Sequence, residues 1–551
     1  MKVAIIAPPY PLEEAPSPPL GVTYVAAAFE AAGAEVRILD YIVSQYSREK
    51  LERELERFAP RVLGATSVTM NFPAAVRIVE DAKDIDPSIL TVMGGSHVSF
   101  DAANTLRRHP AVDVVVIGEG ERTIEELVQV LRNRGSLSSI RGIAFRRGDD
   151  IVMTEPRELI EDLDSLPLPA RHLLPVSRYQ ALGFPVSIIT SRGCPNSCIF
   201  CLGRRMVGKR VRHRNPVSVV DEIESILDWG FNRINVADDL FTANPDKVRA
   251  VCEEINRRGL RFTWSAFSRV NTITREMLAM MRDAGCDAVS FGIESGNPAM
   301  LKRVRKGITL KQARDAVQMC KDEGVLAHAS FMVGLPGETL ETLEDTRVFS
   351  ESLGILYGFH FLAPFPGTTV REKIDDFDLE ILTDDWSRYD ANSAIVRTSA
   401  LSADEMNRFV ADIEAEHRTK WKESLRRYYE GAASPDEHMS VEGQLRTQII
   451  FRILSEDLIE RFGSPDPVSK SGNGGDSLDA LCREVSAAVG GDELLAMKTV
   501  RSLAERGYIK IRTDGMKKFW SWTHNNRVDF PFAVPEEAFI APAVIADPVF
   551  S

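Results

Sequence analysis

The sequence contains no uninterrupted apolar run approaching the roughly 18 to 20 residues that a membrane-spanning helix needs. Its N-terminal apolar stretch soon reaches two prolines. We therefore expect neither an anchor nor a secretory signal, and the protein is predicted to be cytoplasmic. Cysteine is scarce, with seven in 551 residues and none before Cys194. This scarcity excludes a disulfide framework and indicates a reducing compartment.

Basic residues do not outnumber acidic ones, because 67 Lys and Arg against 80 Asp and Glu give a net charge of −13. A general polyanion binder carries the opposite balance, so nucleic acid is not the expected partner. Hydrophobic residues make up 44% and charged residues 27% of the chain, which is ordinary for globular proteins and excludes a disordered or low-complexity chain. The length suffices for about three to four domains.

Five short, β-branched apolar runs alternate with amphipathic stretches between Lys2 and Arg132. Such runs predict strands buried on both faces of a parallel sheet, and hence a doubly wound α/β domain of the Rossmann-like or flavodoxin-like kind over residues 1–140. Ligands of these domains bind beyond the carboxyl ends of the strands. The predicted ligand-contacting residues are Pro9, Tyr10, Ser67, Val68, Thr69, Met70, Asn71, Gly94, Gly95, Ser96, His97, Gly118, Glu119, Gly120 and Glu121.

Three further regions follow this domain. Residues 141–184, rich in proline and charge, are predicted to form a linker with room for a hairpin. Residues 185–390 contain six βα repeats, which predict a partial (βα)6 TIM-like barrel with a parallel sheet. Residues 391–551 are predicted to form a mainly helical domain that caps the barrel, with a winged-helix-like pattern near its end.

Three of the seven cysteines, Cys194, Cys198 and Cys201, are clustered directly after the first predicted barrel strand. Loops at the carboxyl ends of barrel strands hold the chemistry of barrel enzymes, so these thiols are candidate metal ligands. A structural zinc site would need a fourth ligand nearby, and the sequence offers no obvious one. Three thiolates on a four-iron cluster would leave one iron open to a small molecule.

The Cys-x3-Cys-x2-Cys spacing, with Phe200 before the last cysteine, resembles the radical SAM superfamily. Later strand ends resemble it too, in the segments ADDLF, WSAFSR, FGIESGNPAMLKRVRKGIT, FMVGLPGET and LAPFPGT. The resemblance implies a [4Fe-4S] cluster that binds S-adenosylmethionine (SAM) and a one-electron reductant of the flavodoxin or ferredoxin type. It also implies SAM contacts from Phe200, Asp239, Arg269 and Glu294. The simpler alternatives are a zinc loop and, for the charged residues, salt bridges that rim the barrel.

The segments GGSHVSF and VIGEGERTIEEL ahead of this barrel resemble the cobalamin-binding subgroup of the superfamily. This resemblance implies that the loop residues of the first domain bind cobalamin. A nicotinamide or flavin nucleotide is disfavoured, because the first βα turn reads Ala-Pro-Pro-Tyr and lacks the Gly-x-Gly-x-x-Gly pattern. The chain also lacks Asp-x-His-x-x-Gly, so we expect a cobalt without a histidine ligand from this motif, facing the loop 67–72. His97 is expected to contact the cofactor tail or to make a structural hydrogen bond.

The two implied cofactors together favour methylation of an unactivated carbon of a small-molecule substrate, through a 5′-deoxyadenosyl radical and methylcobalamin. No side-chain catalyst is predicted, since the cofactors carry the chemistry. A cyclase or oxidative rearrangement without methyl transfer, as in the anaerobic magnesium-protoporphyrin ester cyclase, stays open. A remoter alternative is a cobalamin-responsive regulator that binds DNA through the winged-helix-like segment. A methylthiotransferase would need three more N-terminal cysteines, and residues 1–193 contain none.

Overall fold

The computed structural model describes residues 1–10, 16–463, 474–514 and 517–523. The last 28 residues of the predicted C-terminal domain, 524–551, lie outside this part of the chain. The described chain folds as an α/β protein with two large sheets and a helical C-terminal region, which confirms the predicted fold class. Within these residues, no helix combines the length and the hydropathy needed to cross a bilayer.

The N-terminal sheet has seven strands in the order β2-β1-β3-β4-β5-β6-β7, of which the first five in sequence are parallel. The strands are β1 (Lys2–Ala7), β2 (Glu35–Asp40), β3 (Val62–Thr66), β4 (Leu90–Gly94), β5 (Val114–Val116), β6 (Ile143–Arg147) and β7 (Asp150–Met153). The helices are α1 (Leu20–Ala31), α2 (Arg48–Phe58), α3 (Phe72–Ile85), α4 (Ser96–Arg108) and α5 (Glu121–Arg132). Helices cover both faces, so the interior strands are apolar along their whole length.

The predicted linker begins with the hairpin β6–β7, which pairs antiparallel to β5 and extends the N-terminal sheet beyond residue 140. Arg171 and Arg178 follow in this segment and are buried. Arg171 pairs with Glu222 of the barrel at 2.7 Å. Arg178 donates to the carbonyl oxygen of Val43 at 2.7 Å and pairs with Asp457. The segment is therefore a packed junction of three regions.

The second sheet has six parallel strands in the order β8-β11-β12-β13-β14-β15, which confirms the predicted partial barrel. These strands, with the separate two-stranded ribbon β9–β10, are β8 (Val186–Ile188), β9 (Ser191–Arg192), β10 (Arg212–His213), β11 (Arg233–Val236), β12 (Thr263–Ser268), β13 (Cys286–Glu294), β14 (Leu326–Val333) and β15 (Leu356–Phe361). The helices from the junction onward are α6 (Val176–Leu182), α7 (Gly203–Val207), α8 (Pro216–Asp228), α9 (Pro245–Arg258), α10 (Arg275–Asp283), α11 (Pro298–Arg303), α12 (Leu310–Glu323), α13 (Leu340–Ser352) and α14 (Thr369–Glu372).

Burial alternates along the barrel strands. On β14, alternate residues from Ala327 to Val333, among them Phe331, are buried. His328, Ser330 and Met332 lie on the opposite face, which is half-buried. A strand with one buried and one partly open face gives this period of two. On β14, the half-buried face thus presents two polar side chains and one methionine.

The C-terminal region begins with the small ribbon β16–β17 and continues mainly as helices. Its elements are β16 (Glu380–Ile381), β17 (Val396–Arg397), α15 (Ala403–Tyr429), α16 (Pro435–Ser455), α17 (Leu458–Phe462), α18 (Gly474–Val489), α19 (Glu493–Glu505), β18 (Ile509–Asp514) and β19 (Lys517–Trp522). Capping boxes start α15 and α16. Phe451 of α16 stacks on Phe184 beside α6, and Phe409 of α15 meets Phe359 of β15. A role for this region as a cap over the barrel opening stays a prediction.

Candidate active site

The cysteine loop lies at the carboxyl end of β8 and is closed at its base by the ribbon β9–β10. The Cys194 amide donates to the carbonyl oxygen of Gly208 at 3.1 Å, and the Cys201 amide donates to that of Cys198 at 3.3 Å. Gly193 has a φ of +114°, and a Cβ there would lie 2.3 Å from the carbonyl oxygen of Arg210. Only glycine lets the two sides of the loop approach so closely.

Two aspartates at the end of β11 anchor this loop. Asp238 is buried and accepts hydrogen bonds from the Thr190 amide and hydroxyl and from the Ser191 hydroxyl, all at 2.6 Å. Asp239 accepts from the Gly193 amide at 3.1 Å. The predicted SAM contact Asp239 is therefore bound to the backbone of the cysteine loop. Sequence reasoning missed Asp238, although a carboxylate two residues after the end of a barrel strand signals such a partnered acid.

Each of the three clustered sulfurs receives one N–H donor. Cys194 Sγ lies 3.3 Å from Asn196 Nδ2, Cys201 Sγ lies 3.3 Å from the Gly203 amide, and Cys198 Sγ lies 3.6 Å from Arg269 Nη1. Although Cys201 is exposed, partial loss of hydration within the loop raises the pKa of its thiol, the Gly203 amide opposes this rise, and the neighbouring Cys198, Cys194 and Asp239 add to it. All three cysteines are free. Thiol ligands supported by N–H donors fit an iron–sulfur cluster.

A single metal ion fits less well at this place. In the part of the chain that the structure describes, no three His, Cys, Asp or Glu side chains are arranged around one ion. A structural zinc site needs four protein ligands in a tetrahedron. The donor set of the loop, three thiols and no fourth side chain, instead fits the three-cysteine cluster expected from the sequence.

The predicted contacts Arg269 and Glu294 lie on one buried network with Lys306, which sequence reasoning missed. Arg269 donates to the Lys306 carbonyl oxygen and reaches Cys198, while Lys306 Nζ pairs with Glu294 Oε1 at 2.6 Å. Glu294 has a φ of +76° and sits at a bulge between β13 and β14. A buried glutamate needs a partner of opposite charge, so the lysine twelve residues after Glu294 was a candidate that the sequence itself offered. Phe200 packs against a small apolar cluster that contains Ile199.

The loops after β3 and β4 meet at a point where buried polar atoms lack protein partners. Ser67 Oγ and His97 Nε2 are both buried without a hydrogen-bond partner. Gly95 has a φ of +106°, and a Cβ there would lie 2.3 Å from the Ser67 carbonyl oxygen. His97 Nδ1 lies 3.3 Å from Thr69 Oγ1. Unpaired buried polar atoms at strand ends fit a ligand that supplies the missing hydrogen bonds, as the tail of cobalamin would.

The other residues of this predicted site line the same edge of the sheet. Val68 is 44% exposed and Met70 is half-buried, while the Val68 amide donates to Asn71 Oδ1 at 3.0 Å. An apolar, histidine-free loop tip fits contact with the flat face of a corrin ring. Half-buried positions along this edge are Pro9, Tyr10, Gly94, Gly95, Ser96 and Gly118, and Gly120 precedes α5.

His97 is fully buried between two aromatic rings. Phe72 lies 4.1 Å away between ring centroids, and Trp386, from the segment after the barrel, lies 4.9 Å away. Burial lowers the pKa of His97 to about 4, so the ring is neutral at pH 7. Arg371 stacks on the far side of this column, 4.7 Å from the Trp386 ring. Trp386 and Arg371 were missed, because no local pattern marks a residue that packs on another domain.

Glu119 and Glu121 were predicted to contact cobalamin, but the structure engages both carboxylates in ion pairs. Glu119 pairs with Arg212 at 2.8 Å and with Arg192 at 3.2 Å, and Glu121 pairs with Arg192 at 2.5 Å. The two arginines belong to the ribbon that holds the cysteine loop. These carboxylates face the barrel because buried charges need partners of opposite sign.

Family comparisons agree with this geometry. The sequence model of the B12 binding domain matches residues 14–128, and that of the Radical SAM superfamily matches residues 188–349. An uncharacterised methyltransferase of Pyrococcus horikoshii is 34% identical over 421 residues, which cover 74% of this chain and 91% of that protein. The chain belongs to the cobalamin-binding radical SAM family. A [4Fe-4S] cluster, SAM and cobalamin are therefore its cofactors, as the sequence predicted.

Another relative within this family is the anaerobic magnesium-protoporphyrin IX monomethyl ester cyclase of Rubrivivax gelatinosus. It is 31% identical over 403 residues, which cover 71% of each protein. Among solved structures, the cobalamin-dependent radical enzyme OxsB aligns with a TM-score of 0.66 at 16% identity, over 92% of this chain and 83% of that one. The methyltransferase TsrM of Kitasatospora setae aligns with a TM-score of 0.60 at 20% identity, over 70% and 82%. These structures share the fold of this chain.

Proposed function

We propose that this chain is a cobalamin-dependent radical SAM methyltransferase that methylates an unactivated carbon of a small molecule. One observation carries the proposal: the loop after β5, on the ligand edge of the N-terminal sheet, is ion-paired to Arg192, two residues before Cys194. The two cofactor sites therefore border each other. A corrin that carries a methyl group beside a centre that makes a carbon radical is an arrangement suited to methylating a carbon.

The side chains of this chain would bind and orient the cofactors. Cys194, Cys198 and Cys201 would hold the cluster, and the residues near it, Phe200, Asp239, Arg269 and Glu294, would position SAM. The unpaired atoms of Ser67 and His97 support a cobalamin site at the ends of β3 and β4. Bound there, the cluster and SAM supply a 5′-deoxyadenosyl radical and the corrin supplies a transferable methyl group. No side chain is assigned as an acid or base.

The setting of the reaction is part of the same proposal. The cluster needs a one-electron reductant, and a small acidic electron carrier of the flavodoxin or ferredoxin type would supply it. Unpaired thiols at the cluster loop and the lack of disulfides in the described chain support a cytoplasmic location. Two basic residues of the winged-helix-like segment form surface ion pairs, Lys498 with Glu442 and Arg501 with Asp479, so DNA binding by this region stays the remoter alternative.

A cyclase-type reaction is the second candidate, because the Rubrivivax relative performs such a reaction with similar coverage of both chains. A methyltransferase transfers the methyl group of SAM to its product, whereas a cyclase uses SAM without transferring that methyl group. After anaerobic reconstitution with iron, sulfide and hydroxocobalamin, both predict about four irons and one cobalt per chain. A chain that retains iron but no cobalt would refute both. Methylated product supports methyl transfer, and 5′-deoxyadenosine without it favours the cyclase.

Cysteine variants separate the two cofactor sites. Cys198→Ser and Cys201→Ser are expected to lose the cluster absorbance while they retain cobalt, since the donors to the two sulfurs, Arg269 and the Gly203 amide, belong to the barrel. Cys482→Ser is the matched control, because Cys482 is buried in α18, far along the chain from the loop. This control should keep both metals. Loss of iron in the control as well would show that the effect is unfolding and not removal of a ligand.

A further inference from the structure

The two cofactor-binding regions are joined by a buried group of four charges, Glu119, Glu121, Arg192 and Arg212, which we call the ionic clamp. Glu119 and Glu121 flank Gly120 in the turn after β5, whereas Arg192 and Arg212 lie on β9 and β10. Side chains of Arg212 and Glu119 are only 3% and 4% exposed, and those of Arg192 and Glu121 are 11% and 6% exposed. The clamp thus joins residues 71 to 93 positions apart in sequence.

The hydrogen-bonding capacity of Glu119 is used within the protein. Its Oε1 accepts from Arg212 Nη2 at 2.8 Å and from Arg192 Nη1 at 3.2 Å. Its Oε2 accepts from Arg212 Nη1 at 3.0 Å and from the Ile160 amide at 2.8 Å. Four donors leave the carboxylate no acceptor position for a cofactor. The two terminal nitrogens of Arg212 each have a second acceptor, since Nη2 also donates to the Val207 carbonyl oxygen at 2.9 Å and Nη1 donates to the Ile160 carbonyl oxygen, whereas its buried Nε has no partner.

Buried ion pairs of this kind contribute little net stability, because desolvation of the charges offsets their attraction. Their geometry is nevertheless demanding, since removing one partner leaves an uncompensated charge. The clamp is attached to the base of the cysteine loop at Arg192 and to the entrance of α5 at Glu121. A second attachment, the His97–Trp386 contact, lies beyond β4. Together with the junction of residues 141–184, these two attachments at separate strand ends hold the N-terminal domain in one orientation on the barrel.

We propose that Glu119 and Glu121 are positioning residues, which act through Arg192 and Arg212 to set the separation between cobalamin and the cluster-bound SAM. The inference rests on the proposed function, because it concerns the distance between its two cofactors. Cleavage of SAM at the cluster needs the barrel alone. Transfer of a methyl group from SAM to the corrin needs the N-terminal domain and the barrel at the correct separation. Misplacement by about 1 Å can slow such a step about a hundredfold.

The test compares two reactions that need no substrate, in Glu119→Gln, Glu121→Gln and the native chain. All are reconstituted with both cofactors and reduced with titanium(III) citrate. The first reaction is release of 5′-deoxyadenosine, and the second is appearance of isotope from methyl-labelled SAM on the corrin. We expect the ratio of the second rate to the first to fall by about ten- to a hundredfold in both variants. Cobalt and iron contents should match those of the native chain.

Asp287→Asn is the matched control. Asp287 also accepts two hydrogen bonds from one arginine, Arg233, but the two residues lie on the barrel strands β13 and β11 and pair with neither Arg192 nor Arg212. A general loss of stability would affect this control as well, whereas loss of register would not. The ratio of the two rates is therefore expected to stay within about twofold of the native value in Asp287→Asn. An equal fall in the control would overturn the proposal.

Hydrogen exchange on the unloaded chain gives a readout that does not depend on the cofactors. The Ile160 amide donates to Glu119, so its exchange is expected to accelerate in Glu119→Gln, together with that of residues 118–121 and 191–193. Native-like rate ratios and native-like exchange in both variants would overturn the proposal. If Glu119→Gln does not fold, Glu121→Gln, which loses only the Arg192 pair, carries the test. A native chain that binds no cobalamin refutes the proposed function instead, and exchange then tests the clamp alone.

Discussion

Substitution of Gly95 by alanine is expected to disrupt the junction between the loops after β3 and β4. Gly95 combines a φ of +106° with a ψ of 176°, a conformation that residues with a side chain rarely adopt. A Cβ there would lie 2.3 Å from the Ser67 carbonyl oxygen and 2.8 Å from the Ser67 amide nitrogen. Both are backbone atoms, so the end of β3 must move. We expect a loss of roughly 2 to 6 kcal/mol in the free energy of unfolding, from backbone strain and overpacking together.

The same displacement moves the unpaired Ser67 hydroxyl and the neighbouring His97, so cobalamin should bind more weakly. Titration of the protein with hydroxocobalamin, followed by visible absorbance, measures the affinity, and urea denaturation measures the stability. Gly259→Ala is the control, since Gly259 follows α9 with a φ of +65° and no atom lies within 4 Å of its Cβ position. This control should lose only about 1 to 2 kcal/mol and keep its affinity for cobalamin. The reasoning is refuted if Gly95→Ala matches Gly259→Ala in both measurements.

Three further substitutions test other parts of the barrel. Glu338, in the loop after β14, accepts hydrogen bonds from the Gly334 and Leu335 amides, and burial raises its pKa to about 8. The stability that protonated Glu338 contributes is therefore fully present below its ordinary pKa and is lost as the pH rises toward 8. Glu338→Gln should therefore gain roughly 3 to 5 kcal/mol on the native chain between pH 4 and pH 9 in urea denaturation, and a constant difference would contradict this. Lys306→Met leaves Glu294 buried and unpaired and should lower the free energy of unfolding by about 3 to 5 kcal/mol. The double variant Lys306→Met with Glu294→Gln should recover part of this loss, and an equal loss in the single and double variants would argue against a buried pair. Asp238→Ala removes the acceptor for three donors at the base of the cysteine loop. The free energy of unfolding should fall by about 1 to 3 kcal/mol for each donor left without a partner, and the protein should retain less iron. An iron content equal to that of the native chain would show that the loop does not need this anchor.

Most of the architecture could be predicted from the sequence because its signals are local. Strand β1 is a continuous apolar run because both of its faces are buried, and β14 alternates because one face lines the barrel. The spacing of the three clustered cysteines predicts the position of the metal site, and their assignment as cluster ligands stays a prediction. The hairpin β6–β7 was placed in a linker, because nothing within its own sequence shows that β6 pairs with β5.

Side-chain partnerships across domains could not be predicted in this way. Glu119 and Glu121 lie in a glycine-rich turn that looks like a ligand loop, and their partners lie 71 to 93 residues later. Trp386 packs on His97 from 289 positions away in sequence, so no periodicity connects them. Such pairs depend on how two independently patterned sheets dock, which a single sequence does not encode locally.

The most direct test of the account is to follow the labelled methyl group of SAM in the anaerobically reconstituted, reduced native chain. If cobalamin sits beside the cluster at the ends of β3 and β4, label should accumulate on protein-bound corrin, and 5′-deoxyadenosine should form in the same sample. Full occupancy of cobalt and iron with deoxyadenosine but no label on the corrin would contradict methyl transfer as the function of this chain.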